Sequence, residues 1–305
     1  DNVLFYLYLQ RMIMKRFLLP TFKHCRVTFF AAIFICASLI ISPASAELSP
    51  KSHESRDLLD IIDDGVIRVA MLKTDELPFF YHNADQKLVG IDIDLLELIE
   101  KELNIKVELI RTATTFDGVV ELVARGEADL ALSMLSVTIN RAKRISFTRP
   151  YALNSFALVV NRVAESRGKK SNKGEDFFNR AEIKLGVQMD SSYESFARRK
   201  YPKATLVQIA NFSDIANAVA EGQIDAAISA KLSLEPLFKR DTKLNFKLRT
   251  VVFYDEPDLM AAVVHPTSHH LLNWMNTFLH INEIVGTMDS IKNQHGVSLK
   301  QTNQK

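Results

Sequence analysis

The densest chemistry in the chain lies between Gly126 and Tyr151. Ala128 to Leu135 is a short apolar run after a glycine turn, and it reads as a buried strand. It ends in hydroxyl residues, Ser133, Ser136 and Thr138. Thr138 is placed to N-cap a helix beginning near Ile139, which puts Arg141 in the first turn. A cation there opposes the helix macrodipole, and an anion held between the free backbone N–H groups and the guanidinium removes the conflict. Arginine grips a carboxylate through two parallel hydrogen bonds, which lysine cannot do. The strand end therefore reads as a carboxylate site. The plain alternative is an arginine on a solvated face, paired with a nearby acid.

The chain has 305 residues and is 47% hydrophobic, enough for one large or two medium domains. Lys15, Arg16, Lys23 and Arg26 precede the apolar run from Val27 to Ile41, and Pro43-Ala44-Ser45-Ala46 follows with an Ala-x-Ala cleavage pattern. Residues 1–46 are thus expected to be upstream residues and a secretory signal peptide, cut near Ala46, with Met14 or Met12 as the start. The run is short for a membrane span, which needs about 20 apolar residues. Both cysteines, Cys25 and Cys36, fall in this segment, so the mature part is expected to hold no disulfide and no cysteine metal site or nucleophile. The segment carries five of the 38 basic residues and one of the 36 acidic ones, which leaves a mature net charge of −2. Nothing there suggests a nucleic-acid partner.

Glu47 to Asp57 is polar and reads as a loose tail. Leu58 to Asp64 is a short helix ended by Gly65, and Ile67 to Leu72 a β-branched strand. A polar hairpin-like turn surrounds Asn83 to Lys87. Ile91 to Leu103 has apolar residues at helical spacing, Lys106 to Ile110 is a strand, and Phe116 to Ala124 a helix closed by Gly126. This is a βαβαβ order, which implies a parallel sheet with helices on its faces.

The pattern then recurs. Phe116 lies thirteen residues before Asp129, and Phe212 thirteen before Asp225; each stretch reads helix, glycine, acidic turn, apolar strand, serine. Ile183 to Val187, Tyr193 to Lys200 and Thr205 to Gln208 supply the rest of a second unit, so two α/β lobes are expected. Phe156 to Asn161 leads out of the first lobe, and Ser166 to Glu175 reads as an exposed loop. Val251 to Tyr254 and Ala261 to Val264 read as strands around an acidic turn, Asp255 to Asp258, that forms the return crossing. Helices at Leu271 to Asn282 and Glu283 to Asn293 would pack back on the first lobe. The expected division is 58–155 plus 255–296 for lobe 1, 156–254 for lobe 2 and a polar tail at 297–305. Two crossings make a hinge, and ligands of open α/β sheets sit at strand carboxyl ends, which places the site in the cleft between the lobes.

Gly126-Glu127-Ala128-Asp129-Leu130, the Ser136-x-Thr138-x-x-Arg141 run and Phe147-Thr148-Arg149-Pro150-Tyr151 resemble, in that order, the family 3 extracellular solute-binding proteins. Leu77-Pro78-Phe79 and Gly90-Ile91-Asp92-Ile93-Asp94-Leu95 add to the resemblance, which spans Ile67 to about Gly296. It implies a type II periplasmic-binding-protein fold: two mostly parallel lobes flanked by helices on a two-strand hinge. It also implies a site. Arg141 matches the carboxylate-binding arginine and Ser136 a polar contact to the ligand head, with Thr138 mainly a helix cap. Phe116 matches an apolar wall or, equally, lobe-one core. Asp190-Ser191-Ser192 matches the loop that holds the carboxylate from the other lobe, with Ser192 preferred and Gln188 a lesser candidate. Two positions depart. Glu76 stands where the family has a stacking aromatic, and Ala230, followed by Lys231, where it has the aspartate for the α-ammonium. The carboxylate half thus looks intact; for the ammonium half, either Glu76, Asp190 or Asp258 substitutes, or the ligand lacks the ammonium.

His265, His269 and His270 lie together without a carboxylate or cysteine to complete a metal set, and no metal or cofactor is expected. The expected function is a periplasmic solute-binding protein, monomeric, delivering a small carboxylate-bearing solute (an amino acid or relative) to the permease of an ABC transporter. The alternatives are a dehydratase-like enzyme acting on cyclic acids, with Glu76 or Glu194 as proton carrier, and a free binding protein that feeds a sensor.

Overall fold

The computed structural model describes residues 55–170, 177–210, 212–284 and 286–295; the expected signal peptide and the tail at 297–305 lie outside them. The described chain opens with α1 (Leu58–Asp64), β1 (Val66–Ala70), a two-strand hairpin of β2 (Tyr81–His82) and β3 (Leu88–Val89), α2 (Ile91–Leu103), β4 (Lys106–Ile110), α3 (Phe116–Ala124), β5 (Leu130–Ala131), α4 (Ile139–Ala142), β6 (Ser146–Phe147) and β7 (Ala152–Asn161). It continues through α5 (Arg162–Lys170), β8 (Lys184–Gln188), α6 (Ser192–Lys200), β9 (Thr205–Ile209), α7 (Phe212–Ala220), β10 (Ala226–Ala230), α8 (Lys231–Arg240), α9 (Leu244–Lys247), β11 (Leu248–Met260), β12 (Val263–Val264), α10 (His269–Ile284) and α11 (Thr287–Gln294).

These strands form two five-stranded sheets, ordered β4-β1-β5-β12-β6 and β11-β7-β10-β8-β9. In the first, β4, β1 and β5 run parallel; in the second, β9, β8 and β10 do. The sequence repeat is therefore a structural one, and its acidic residues explain why it recurs. Asp129 N donates to Arg68 O at 2.9 Å while its carboxylate accepts from Arg68 N at 2.8 Å. Asp225 N donates to Lys184 O and its carboxylate accepts from Lys184 N, both at 3.0 Å. Each aspartate thus closes the start of a parallel strand pair with a reciprocal bond. Gly126 and Gly222, at φ +70° and +74°, supply the left-handed turn ahead of it.

The first aspartate is held more heavily than the second. Asp129 is buried and also takes the guanidinium of Arg68 at 2.6 Å and that of Arg56. Against the cost of burial, the bonds from Arg56 and Arg68 keep its carboxyl below the usual range. Residues 55–57 are consequently part of the fold and not a loose tail. Asp57 caps α1 with a reciprocal capping box to Asp60, and its carboxylate also receives the amides of His270 and Leu271 at the start of α10.

Other expectations need correction. The apolar run at Ala128–Leu135 is strand only at Leu130–Ala131, because Met134 turns to φ +42° and the chain leaves the sheet. Ser166 to Lys170 belongs to α5 and not to a loop, while residues 171–176 lie outside the described chain. The segment Asp255–Asp258 is not a turn between two strands: β11 runs unbroken from Leu248 to Met260 beside β7. Its register jumps between Phe253 and Pro257, so three residues, Tyr254 to Glu256, bulge out. Glu256 in this bulge binds Arg199 at 2.5 Å and Lys200 at 3.1 Å on α6.

β7 and β11 are the two crossings between the sheets. At their first-sheet end Val137 N donates to Leu259 O, Ala261 N to Leu135 O and Tyr151 N to Met260 O, at 2.8 to 3.0 Å. Gly90 lets α2 start against the turn that contains the cis Leu77–Pro78 bond: a Cβ there would stand 2.3 Å from Phe79 O, so no other residue fits.

Replacing Asp129 with Ala should cost about 2–3 kcal/mol, because two guanidinium groups and an amide lose a buried partner. Asp225→Ala, with fewer partners, should cost about 1 kcal/mol. Thermal or urea denaturation of the two variants checks the order; equal losses would contradict it.

Candidate functional site

Where the crossings meet the ends of β5 and β8, a cavity of about 440 Å³ opens, lined by Asp117, Ser136 to Arg141, Phe156, Ser191, Ser192, Ser195, Phe196, Arg199 and Pro257 to Leu259. Arg141 is 7% exposed and faces it. Thr138 Oγ1 accepts from Arg141 N at 3.3 Å, so the cap forms as expected. The helix it caps is a single turn, too short to carry a useful macrodipole; what orients the arginine is its own side chain folding back. Arg141 Nη1 donates to Ser136 O at 3.1 Å. Nε and Nη2 each lie 2.9 Å from Asp117 Oδ1. The guanidinium thus looks into the cleft but is not free: it is paired with an acid, as in the plain alternative, yet buried and not on a solvated face. Asp117 itself is half exposed, its side chain at 54%.

Hydrogen bonds link the two sides of the cleft. Ser136 Oγ and Ser192 Oγ are 2.8 Å apart. Gln188 Nε2 donates to Glu76 Oε1 at 3.1 Å. Asp117 N donates to Asp190 O at 3.3 Å. Ser191 is the N-cap of α6, accepting from Glu194 N and donating to Gln188 O at 2.6 Å. Of the residues singled out from the sequence, Arg141, Ser136, Thr138, Ser191, Ser192 and Asp258 share the cavity wall. Glu76 and Gln188 meet each other across the cleft, both buried. Phe116 does not reach it: at 4% exposure it is packed in the core, as the first residue of a helix whose apolar stripe faces the sheet. Asp190 also falls outside the lining; it is exposed and at φ +48°, serving the turn before α6.

Several lining groups were missed. Phe156 stacks on Phe196 at 4.2 Å between centroids, and Phe196 leans on Phe253 at 5.3 Å. In the sequence these look like core residues of a strand and a helix, and no spacing sets them apart. Asp117 reads as an ordinary first-turn acid. Arg199 sits over the Phe196 ring at 5.3 Å, a position visible only once α6 is placed.

A supporting network lies behind the wall. Asp92, fully buried, accepts from Met134 N at 2.9 Å and from the Tyr151 hydroxyl at 2.7 Å. One carboxyl therefore ties Gly90-Ile91-Asp92 to the chain leading to Ser136 and to the end of Phe147–Tyr151. Burial pushes it up to about 7, with the bonds from Tyr151 and Met134 opposing. Burial likewise raises Glu76 to about 7, against the bond from Gln188 and helped by the charge of Asp75. Burial raises Asp258 to about 6, against the hydroxyl of Ser136 and the charge of Arg141. The buried Tyr193 phenol lies among Asp258, Glu76 and Arg141, and desolvation drives it well above its ordinary value. Among the described residues there is no group of three or more metal-binding side chains, and no helix long and apolar enough to cross a membrane.

Residues 67–298 match the family described as bacterial extracellular solute-binding proteins, family 3. The ABC transporter arginine-binding protein 1 of Escherichia coli is 22% identical over 71% of this chain and 85% of its own length. The virulence sensor protein BvgS of Bordetella pertussis is 28% identical over 63% of this chain, which spans only 15% of that sensor. Among solved structures, an ancestral amino acid-binding protein described as a precursor of cyclohexadienyl dehydratase superposes with a TM-score of 0.65 at 26% identity, covering 77% of this chain and 97% of its own.

The raised carboxyls fix a pH dependence. A carboxyl whose pKa is higher folded than unfolded adds stability below the unfolded value, and that contribution is lost as pH rises through the folded value. The ligand-free protein should therefore lose stability between about pH 4 and pH 7 through Asp92, Glu76 and Asp258. Asp57, Asp75, Asp129, Glu194 and Glu256 are shifted the other way, and their contributions are lost as pH falls through the acid range. Melting temperatures of the parent and of Glu76→Gln, followed from pH 4 to 8, should diverge, the variant gaining on the parent as pH rises. Parallel curves would contradict the assignment.

Proposed function

We propose, for a chain that belongs to the bacterial extracellular solute-binding proteins of family 3, that it binds a small carboxylate-bearing solute, an amino acid or a close relative, in the cavity between its two sheets. The observation that carries this reading is Arg141, buried at the cavity wall beside the facing hydroxyls of Ser136 and Ser192. A carboxylate entering there displaces the half-exposed Asp117 and replaces one charge-assisted contact with another. The two serine hydroxyls turn from each other toward the new oxygens, and the Phe156–Phe196 stack offers the apolar remainder a flat wall. In this reading the lobes are 58–155 plus 255–296 and 156–254. The protein acts as a monomer in the periplasm after loss of its leader, and the loaded form docks on the permease of an ABC importer. The binding proteins among its relatives support that assignment. The match to part of a sensor supports a second receiver, a signalling protein, for the same loaded form.

Ligand binding to the native state raises the melting temperature with concentration. A thermal-shift screen of amino acids, polyamines and organic acids should yield at least one carboxylate-bearing hit. By calorimetry, Arg141→Ala should weaken that hit by about tenfold or more, the loss expected for charge-assisted bonds. Unchanged affinity would remove the proposed role of the arginine.

A further inference from the structure

The helices beside β7 and β11 carry a basic face that takes no part in the cavity. From Lys231 to Arg249 the chain has six basic residues against two acidic ones, Glu235 and Asp241. Glu235 lies 4.0 Å from Lys231, and the Asp241 carboxylate accepts from Lys243 N at 3.0 Å. Lys239, Lys243 and Lys247 are exposed, and among the described residues none of the three enters an ion pair. The arginines here are used inside the fold. Arg162, which opens α5, donates twice to Asn245 O at 3.3 Å, and Arg249 pairs with buried Glu165 at 2.5 Å. These bonds set the first turn of α5 beside α9. The single turn of α9 sends Leu244 inward and leaves Phe246 84% exposed between Lys243 and Lys247. Val163, next to Arg162, is 63% exposed. The result is an apolar tip ringed by unpaired ammonium groups.

The choice of cation points to the partner. Protein–protein interfaces favour arginine and are depleted in lysine. The guanidinium fork suits fixed carboxylates, whereas the lysine ammonium is a mobile point charge. A diffuse anionic surface suits unpaired lysines, which lay their stems along an apolar layer and keep their charge at phosphate level. We propose that α9, with Lys239 of α8 and the first turn of α5, is a docking face for an anionic lipid bilayer, Phe246 entering the headgroup layer and Lys239, Lys243 and Lys247 meeting the phosphates. The charge of the whole chain favours this face over any other. Residues 156–254 hold 17 basic and 11 acidic side chains, whereas residues 58–155 with 255–296 hold 12 basic and 21 acidic ones. An anionic surface therefore attracts the first group and repels the second. The inference uses no residue of the cavity, so it stands or falls apart from the solute-binding reading.

The test puts a reporter at the tip. In the full chain, Phe246→Trp adds one tryptophan to the existing Trp274. Its emission is followed as vesicles of phosphatidylglycerol with phosphatidylcholine, or of phosphatidylcholine alone, are added. On the anionic vesicles the emission should shift to the blue and be quenched by lipid brominated in its acyl chains; on the neutral ones it should stay in place. Adding Lys243→Glu and Lys247→Glu should weaken the partition about tenfold or more, and high salt should weaken it too. Lys101→Glu with Lys106→Glu makes the same charge change at exposed positions beside the first sheet, and should alter the partition by less than about twofold, since distant charges are screened. All of these side chains are exposed, so each variant should melt with the parent. No shift on anionic vesicles, an equal shift on neutral ones, or full partition in the Lys243→Glu, Lys247→Glu chain overturns the proposal. A shift with polyglutamate and none with vesicles overturns it as well and gives the face to an acidic protein.

Discussion

Carboxyl groups taken out of water set the terms for this structure, because each must be neutralised, bonded or left costly. The chain uses a different solution at each position. Asp129 has two guanidinium groups and an amide, and its job is to start the first parallel strand pair. Asp92 has a phenol and an amide and no cation, and it fastens three segments of chain behind the cleft. Asp117 occupies the arginine of the cavity while remaining half in solvent. Asp258 has the Ser136 hydroxyl, and its Oδ2 has no hydrogen-bond partner among the described residues. This gradation runs from two guanidinium groups at the start of the first sheet to the Ser136 hydroxyl and the charge of Arg141 at the crossing strands, where the cavity opens.

The same gradation decides what could be read from residues alone. Elements that depend on local signals were legible: Ile91–Leu103, Lys106–Ile110 and Phe116–Ala124 fall where periodicity and their Asn and Gly stops put them. The cap by Thr138 was legible for the same reason. The repeat around Asp129 and Asp225 showed itself because its geometry needs a glycine and an aspartate at fixed spacing. What failed depended on distant partners. The unbroken β11 was hidden because Asp255-Glu256-Pro257 is a turn signal by composition, whereas pairing with β7 holds it as a bulge. Arg56 looked like tail because its partner lies 73 residues away.

At the cavity the division is sharper. Arg141, Ser136 and Ser192 were marked by motif and are brought together. Phe156 and Phe196 were not, because an aromatic in an apolar run carries no sign of whether it faces a core or a cleft. Phe116 shows the converse: a residue at a promising place whose first-turn position on an amphipathic helix sends it inward. Acid–arginine pairing across two helices, as between Asp117 and Arg141, becomes visible only when α3 and α4 are set side by side.

The cavity is built partly on the strands that join the two sheets, since Phe156 belongs to one crossing and Pro257, Asp258 and Leu259 to the other. Any rotation of one sheet against the other turns about those strands, so atoms on this axle sweep a short arc while Ser192 and Arg199 sweep a long one.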